Sequence, residues 1–393
     1  MLSLDLFSGI GGLATALGPY AQPVLYCEID PFCVRVLHTQ MLAGCLPRAP
    51  VHSDVRTLHA AILRPSLIVA GFPCQDVSSL GARAGMTGRR SSLFYEVARL
   101  VDETPSVLVV FLENVSNIAT CGGNDVVREL ASRGFEMRWT MCAASDAGAP
   151  HVRLRWFLLA CRGEGAQRVC DAVGGVDPGA YEPWPAEPAD ALLLRDDQGP
   201  NWVRRMSALG NAVVPCVARR AFVELARNAP AWRACASMLV GAVLAPEIPR
   251  SALFVDGVVY ALPHVVTTRS ARYPTPRSAN VYPTTHSDVR PDTLSTALVR
   301  GSALAARSPH LSFLPDPAYI EWMMGFARGW TVVREEEETA QPSPHAAVPR
   351  RRRLNGMHMF MRDVPGTISA TSALWRALPA ERRAAYSAAA RLA

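Results

Sequence analysis

A cysteine in a rigid loop is the residue of this chain best suited to covalent chemistry. Cys74 follows Pro73 in the segment 71–78 and comes shortly after the apolar run Leu67–Ala70. That run predicts a buried parallel strand, and ligand sites of open α/β sheets lie at the carboxyl ends of such strands. A thiolate is a strong nucleophile, and proline restricts the loop that carries it. Most unpaired cysteines are instead buried core residues, so the neighbouring motifs must decide between the two interpretations.

A glycine-rich turn predicts a second functional element. The segment Asp5–Gly12 (DLFSGIGG) lies between the first predicted strand and a helix. Glycine lets the backbone approach a ligand closely, and a helix N-terminus favours negative charge. Glu28 follows at the end of the second predicted strand, where an acid commonly accepts hydrogen bonds from ribose hydroxyls. Because the turn is not G-x-G-x-x-G, the pattern favours a nucleoside-bearing ligand smaller than a dinucleotide.

Two further acids follow predicted strands. Asp54 could accept a hydrogen bond from an exocyclic amine, although an acid of this kind is also a common surface residue. Glu113 ends the β-branched run 107–112. Burial there would raise the pKa of its carboxyl group, which could then donate a proton to a ring nitrogen. The alternative is an ordinary acid at a helix N-terminus.

Basic and amide side chains complete the candidate site. In the segment 151–155, strand alternation would place His151, Arg153 and Arg155 on one face. Two arginines at the sheet edge could hold a polar substrate, or the segment could be a solvated edge strand. Asn211, preceded by Gly210, is a candidate helix cap and ligand contact at the start of the helix that follows Pro215.

The spacing of apolar runs predicts the fold. Short apolar strands alternate with helical patterns over the first 160 residues, which indicates an α/β fold with a doubly wound, mostly parallel sheet covered by helices on both faces. The predicted organisation is a catalytic domain over 1–228, a smaller irregular recognition region over 245–330, and a linker with a basic tail over 331–393. Residues 201–228 are predicted to be helical.

Six motifs in order resemble those of the DNA cytosine-5 methyltransferases, of the phage and bacterial type. They begin at Asp5, Glu28, Gly71, Glu113, His151 and Gly210, and read DLFSGIGG, EID, GFPCQDVS, ENV, HVRLR and GNAVVP. The resemblance covers residues 1–225. It implies the Rossmann-like fold of the methyltransferases that use S-adenosyl-L-methionine as cofactor, and methylation of C5 of a flipped cytosine through a covalent adduct between Cys74 and C6.

The resemblance also implies a role for each site residue. Cys74 would attack C6, Glu113 would contact N3 and the exocyclic amine, and Arg155, helped by Arg153, would bind O2. Phe7 would lie against adenine, Glu28 would hold the ribose and Asp54 the adenine amine. The full set of cofactor-binding residues implied is Phe7, Gly9, Gly11, Gly12, Glu28, Ile29, Asp54, Val55, Pro73, Asn211 and Val213. No metal ligands are expected.

This chain departs from the family pattern in two places. His151 stands where the family has Gln, in a segment that supports the substrate loop. The segment Leu314–Phe326 resembles a family motif that normally precedes Gly210–Pro215, but here it follows. The segments 273–276 and 293–296 resemble pieces found near the recognition region of phage-type members. The recognition module is therefore expected on the C-terminal side.

Charge and composition fit a nucleic-acid substrate. All 40 basic residues are Arg; residues 1–197 carry 16 Arg against 21 acids, and residues 198–393 carry 24 against 13. A basic half suits a polyanion. No membrane span, secretory segment or C-x-x-C pair is found, so an intracellular, monomeric enzyme acting on double-stranded DNA is expected, in restriction–modification, viral self-protection or regulation. An RNA (tRNA) cytosine-5 methyltransferase and a catalytically decayed DNA-binding member remain the alternatives.

Overall fold

The computed structural model describes residues 1–73, 93–176, 184–188, 193–194, 201–239, 241–242, 247–263, 275–276 and 314–333. Cys74 lies outside the described residues, as do the tail 334–393 and most of the segment 264–313. The two sides of the Cys74 loop, Gly71–Pro73 and the helix from Leu93, are described.

The strands lie close to where the apolar runs predicted them. They are β1 Leu2–Leu6, β2 Gln22–Cys27, β3 Val51–His52, β4 Leu67–Ala70, β5 Val109–Val115, β6 Glu136–Cys142, β7 Arg155–Cys161, β8 Leu193–Leu194, β9 Ala252–Val255, β10 Val258–Ala261 and β11 Leu314–Pro315. The helices are α1 Gly12–Leu17, α2 Pro31–Leu42, α3 Leu93–Glu103, α4 Gly123–Ala131, α5 Gly165–Val173, α6 Trp202–Asn211, α7 Pro215–Ala226, α8 Trp232–Ala236 and α9 Pro317–Met323.

Nine of these strands form one sheet, in the order β10-β9-β6-β7-β5-β4-β1-β2-β3. The strands β1 to β5 pair in parallel, whereas β7 runs antiparallel to both β5 and β6. Since β9 is antiparallel to β6 and to β10, only β7 and β9 oppose the common direction. The carboxyl ends of β1, β2, β4 and β5 therefore meet at one edge, where sites of such sheets lie.

Both faces of the sheet are buried beneath helices. Val69 and Phe111 pack on one face with α1, α2, α5 and α7, and their neighbours Ile68 and Val110 pack on the other with α3 and α4. This alternation explains why the strands read as continuous apolar runs. The arrangement confirms the predicted doubly wound α/β fold.

The helical segment predicted over 201–228 is divided into α6 and α7. Ala212 and Val214 have extended backbones with ψ of 152° and 112°. Val214 precedes Pro215, whose ring disfavours a helical conformation in the residue before it and which has no N–H to donate. Pro215 therefore begins a new helix, and the residues between the helices reach the sheet edge as a loop.

The strand predicted to include His151, Arg153 and Arg155 begins only at Arg155. Arg153 has φ of +33°, a conformation that strands do not adopt. The prediction that alternation places the three side chains on one face is therefore wrong. Residues 151–154 form an irregular segment, and each of the three side chains has a different environment.

Two segments of the predicted recognition region 245–330 pack on the same body as residues 1–228. The hairpin β9–β10 extends the sheet beyond β6. Helix α9 packs against α6, and its side chains join the core on the α1 and α7 face. None of the described helices combines the length and apolar character needed to cross a bilayer.

Candidate active site

The glycine-rich turn after β1 is held in an unusual backbone conformation. Phe7, Gly9 and Gly11 have φ of 55°, 53° and 85°. The hydroxyl of Ser8 donates to the carbonyl of Asp5 at 2.8 Å, and the Ser8 N–H donates to the carbonyl of Cys27 at 3.0 Å. These bonds tie the turn to the ends of β1 and β2. Positive φ costs glycine little, so the spacing of the glycines follows from the shape of the turn.

Glu28 organises the backbone around it at the end of β2. Its carboxylate accepts hydrogen bonds from the Gly9 N–H at 2.6 Å and the Asp30 N–H at 2.8 Å. Burial raises the pKa of Glu28, although the hydrogen bonds oppose this. Each carboxylate oxygen can accept more than one hydrogen bond, so Glu28 can hold the turn and still accept from a ligand hydroxyl.

A second carboxyl group lies beneath the turn. Asp5 is buried in β1, and burial raises its pKa to about 7, with the charge of Glu28 adding to the effect. Near neutral pH this side chain is therefore only partly ionised. It adds less negative charge beside Glu28 than its residue type suggests.

Apolar and acidic side chains of the predicted cofactor set follow β2 and β3. Ile29, next to Glu28, is 66% exposed, whereas Val55 is buried. Asp54 accepts from the Arg56 guanidinium at 2.7 Å and from its backbone N–H at 3.0 Å. These contacts lower the pKa of Asp54 and keep it ionised. An exposed aliphatic side chain beside a buried acid is suited to contact the face of a purine ring.

The loop between α6 and α7 closes the other side of the turn. A Cβ atom placed on Gly12 would lie 2.8 Å from Val213 Cγ1 and 3.0 Å from its carbonyl oxygen. Gly12 is therefore required by close packing rather than by its backbone angles. Asn211 is exposed at the end of α6, whereas Val213 is buried.

Glu113 and Arg155 face each other on the neighbouring strands β5 and β7. Arg155 Nε lies 3.1 Å from Glu113 Oε1, and both side chains are largely buried. Burial raises the pKa of Glu113, while the charge of Arg155 opposes the shift. The pair thus presents a carboxyl group with increased proton affinity beside a fixed cation.

The strand end that carries Glu113 also holds the loop that leads to Cys74. Asn114 Nδ2 donates to the carbonyl of Phe72 at 3.2 Å, and a Cβ on Gly71 would lie 3.4 Å from Glu113 Oε2. Pro73 is half-buried at the last described position before Cys74. The chain therefore enters the Cys74 segment directly beside the Glu113 carboxyl group.

Arg153 is directed into the protein. Its backbone N–H donates to Thr275 Oγ1, and its guanidinium donates to the carbonyls of Pro276, Gly210 and Ala212 at 3.0, 3.1 and 2.5 Å. The side chain is buried. Arg153 therefore joins the segment before β7 to the α6–α7 loop and to residues 275–276, and Arg155 is the arginine that contacts Glu113.

His151 is buried and neutral. Its Nε2 lies 2.8 Å from the carbonyl oxygen of Met323, at the end of α9. Since a carbonyl can only accept, the proton resides on Nε2 and Nδ1 has none. Burial and the charge of Arg153 lower the pKa of His151 to about 3. This residue connects the arginine segment to α9.

Two aromatic residues at this site escaped the sequence reasoning. A Cβ on Gly12 would also lie 3.5 Å from the ring of Phe326, and Trp330 Nε1 donates to the carbonyl of Ile10 at 2.9 Å. The motif-like segment 314–326 hinted at a role for this region, but no local pattern indicates a partner more than 300 residues away. The described ranges contain no cluster of His, Cys, Asp and Glu suited to a metal ion.

The comparisons with known proteins agree with this geometry. The model of the family described as C-5 cytosine-specific DNA methylase matches residues 1–175. Residues 1–175 belong to this family. The methylase domain so defined contains β1 to β7, the glycine-rich turn, Glu28, Glu113 and Arg155, and it confirms the resemblance drawn from the motifs.

Relatives of the methylase domain include type II methyltransferases. M.CviJI of Paramecium bursaria Chlorella virus IL3A is 34% identical over 163 residues, which cover 41% of this chain and 43% of the relative. M.MspI of a Moraxella species is 32% identical over 164 residues, covering 40% and 38%. The chain thus spans less than half of these relatives. The S. pombe Dnmt2 methyltransferase structure is 24% identical over 41% of this chain and 51% of its own, with a TM-score of 0.35.

Proposed function

We propose that the protein is a DNA (cytosine-5-)-methyltransferase that transfers a methyl group from S-adenosyl-L-methionine to C5 of a flipped cytosine. The observation that carries this proposal is the Glu113–Arg155 pair, because it lies beside the loop that leads to Cys74. A nucleophile, a carboxyl group of raised pKa and a fixed cation are the groups that addition to a cytosine ring requires. The family match over residues 1–175 supports the same reaction.

The residues of the turn fit the cofactor. Gly9 has φ of +53°, and a Cβ placed there would meet no protein atom within 4 Å, so the backbone is open to a ligand on that side. Glu28 can accept from ribose hydroxyls, while Phe7, Ile29 and Val55 offer apolar contacts for adenine. The remaining proposed cofactor contacts are Gly11, Gly12, Asp54, Pro73, Asn211 and Val213. When bound, S-adenosyl-L-methionine supplies the methyl group and its leaving sulfur.

The proposed roles at the ring follow from the electronic demands of cytosine. C5 is a poor nucleophile until the thiolate of Cys74 forms a bond to C6 and the ring loses its aromaticity. Glu113 holds a proton at N3 and Arg155 binds O2, so both stabilise the electron density that moves into the ring. After C5 is methylated and loses its proton, the C6–S bond breaks and Cys74 leaves. Arg153 acts behind Arg155, through the loops that it joins.

Duplex DNA is the proposed partner. C6 cannot be reached inside a duplex, so the base must be flipped out at a cost of a few kcal/mol. The basic half of the chain supplies arginines for phosphates and guanine edges. We assign residues 1–228 to catalysis, 245–330 to target recognition and 331–393 to a linker and tail, in a monomeric intracellular enzyme of a restriction–modification or self-protection system.

The Cys74→Ala variant tests the proposal. Methyl incorporation into duplex DNA should fall to background because no adduct can form, whereas binding of S-adenosyl-L-methionine, measured by calorimetry, should stay within about twofold. The same assay with tRNA separates an RNA enzyme from a DNA enzyme. Retained methyl transfer by the variant would contradict the role of Cys74. Tight DNA binding by a wild-type chain without incorporation would indicate a decayed member.

A further inference from the structure

The segment 326–331 lies against the glycine-rich turn, although it is more than 300 residues distant in sequence. The Trp330 indole N–H donates to the carbonyl of Ile10 at 2.9 Å in a buried environment. Ile10 stands between Gly9 and Gly11, the two residues with positive φ in the turn. The Phe326 ring stacks at a tilt on Trp330, with centroids 5.2 Å apart, and reaches Gly12.

Trp330 is itself held by a second part of the site. Gln40 Nε2 donates to the Trp330 carbonyl at 2.7 Å, and both residues are buried. Gln40 lies on α2, the helix that Asp30 caps directly after Glu28. A chain of hydrogen bonds thus runs from α2 through Trp330 to the turn, and Glu28 completes it through the Gly9 N–H.

Glu321 fixes the segment on either side of Trp330. Its buried carboxylate accepts from the Gly329 N–H at 2.6 Å and from the Thr331 N–H at 2.8 Å. Arg205 of α6 pairs with the same carboxylate at 3.1 Å. The backbone that carries Trp330 is therefore restrained before and after the indole, and the indole N–H is directed at Ile10 by a rigid frame.

We propose that Trp330 is a positioning residue for the cofactor turn. Its donation to Ile10 keeps the turn in the conformation in which the Gly9 N–H meets Glu28 and the glycine backbone accepts a ligand. This inference rests on the proposed binding of S-adenosyl-L-methionine. It places residues 326–331 in the cofactor-binding unit, outside the predicted catalytic domain 1–228. The role concerns binding, so it affects the KM for the cofactor rather than kcat.

The full-length Trp330→Phe variant removes the donor and keeps an aromatic ring. One lost hydrogen bond should raise the Kd for S-adenosyl-L-methionine, measured by calorimetry, roughly 3- to 10-fold. KM should rise in parallel, with kcat within about twofold. Trp322→Phe is the matched control, because its indole also donates to a backbone carbonyl, that of Pro185, at 3.0 Å. The control should leave Kd within about twofold while lowering the cofactor-free Tm by a similar amount.

A second variant keeps the inference testable if Trp330→Phe does not fold. Gln40→Met removes the bond to the Trp330 carbonyl and leaves the indole, so it should raise Kd in the same direction by a smaller factor. An unchanged Kd in the folded Trp330 or Gln40 variant, or an equal loss in the Trp322 control, would overturn the inference. Failure of the wild-type chain to bind the cofactor would instead overturn the proposed function, and calorimetry on that chain distinguishes the two.

Discussion

At the scale of single residues, the site depends on groups whose protonation is set by burial. Burial raises the pKa of Glu113 and lowers that of His151 to about 3. The two shifts have the same cause, since a low-dielectric environment disfavours whichever form is charged. Glu113 can therefore carry a proton towards a ring nitrogen, while His151 serves as a neutral donor to α9.

His151 should make the protein less stable in mild acid. In the unfolded chain a histidine binds a proton below about pH 6.5, but the folded His151 does not do so until about pH 3. The unfolded state thus binds the extra proton, and the free energy of unfolding falls as pH decreases from about 6.5 towards 3, by up to roughly 1.4 kcal/mol per pH unit.

The His151→Gln variant measures this contribution. Glutamine can still donate to the Met323 carbonyl but does not titrate. Urea unfolding at pH 7 and pH 5 should give a smaller loss of stability for the variant than for the wild type, by about 1 to 2 kcal/mol. Equal pH dependence in the two proteins would show that His151 is not the group responsible.

At the scale of elements, helix α9 is held by a buried ion pair rather than by its length. Glu321 is 0% exposed and accepts from Arg205, from two backbone N–H groups and from the Thr331 hydroxyl. Removing one member of a buried and fully bonded pair leaves the other groups without partners, which is more costly than losing an exposed pair.

Glu321→Ala should therefore lower the free energy of unfolding by about 3 kcal/mol, as measured by urea titration. The comparison variant is Glu164→Ala, which removes the exposed pair with Arg168 on α5 and should change stability by less than about 0.5 kcal/mol. Similar losses in both variants would mean that the Glu321 network does not secure α9.

The elements that sequence could predict are those defined by local pattern. Leu67–Ala70 and 107–112 are apolar because both faces of the sheet are covered, so their strands were evident. β6 was missed, because its seven residues mix Glu, Arg and Thr with apolar side chains. The alternation expected around Arg153 failed, since contacts with Gly210 and Thr275 impose a positive φ there. Trp330 could not be foreseen, because its partner Ile10 is brought to it only by the tertiary fold.

At the scale of the whole molecule, the proposed recognition region begins and ends on the methylase body. β10 ends at Ala261 within the main sheet, and the chain returns at Leu314 next to α9. Between them, residues 264–313 carry six Arg and two Asp. Within that stretch, Thr275 and Pro276 contact Arg153. The expectation that DNA recognition lies on the C-terminal side remains a prediction, and its charge makes it testable.

Replacing the arginines that flank this contact should weaken DNA binding in a salt-dependent manner. Each arginine–phosphate contact releases counterions, so the slope of log Kd against log salt should decrease by up to about 0.9 per residue in a triple Gln variant of Arg269, Arg272 and Arg277. Binding of S-adenosyl-L-methionine should stay unchanged. The control replaces three arginines at the amino edge of the sheet, opposite the site: Arg64, Arg168 and Arg233. If the control lowers the slope as much as the triple variant does, the DNA path does not run along residues 264–313, and target recognition must be sought elsewhere in the basic half of the chain.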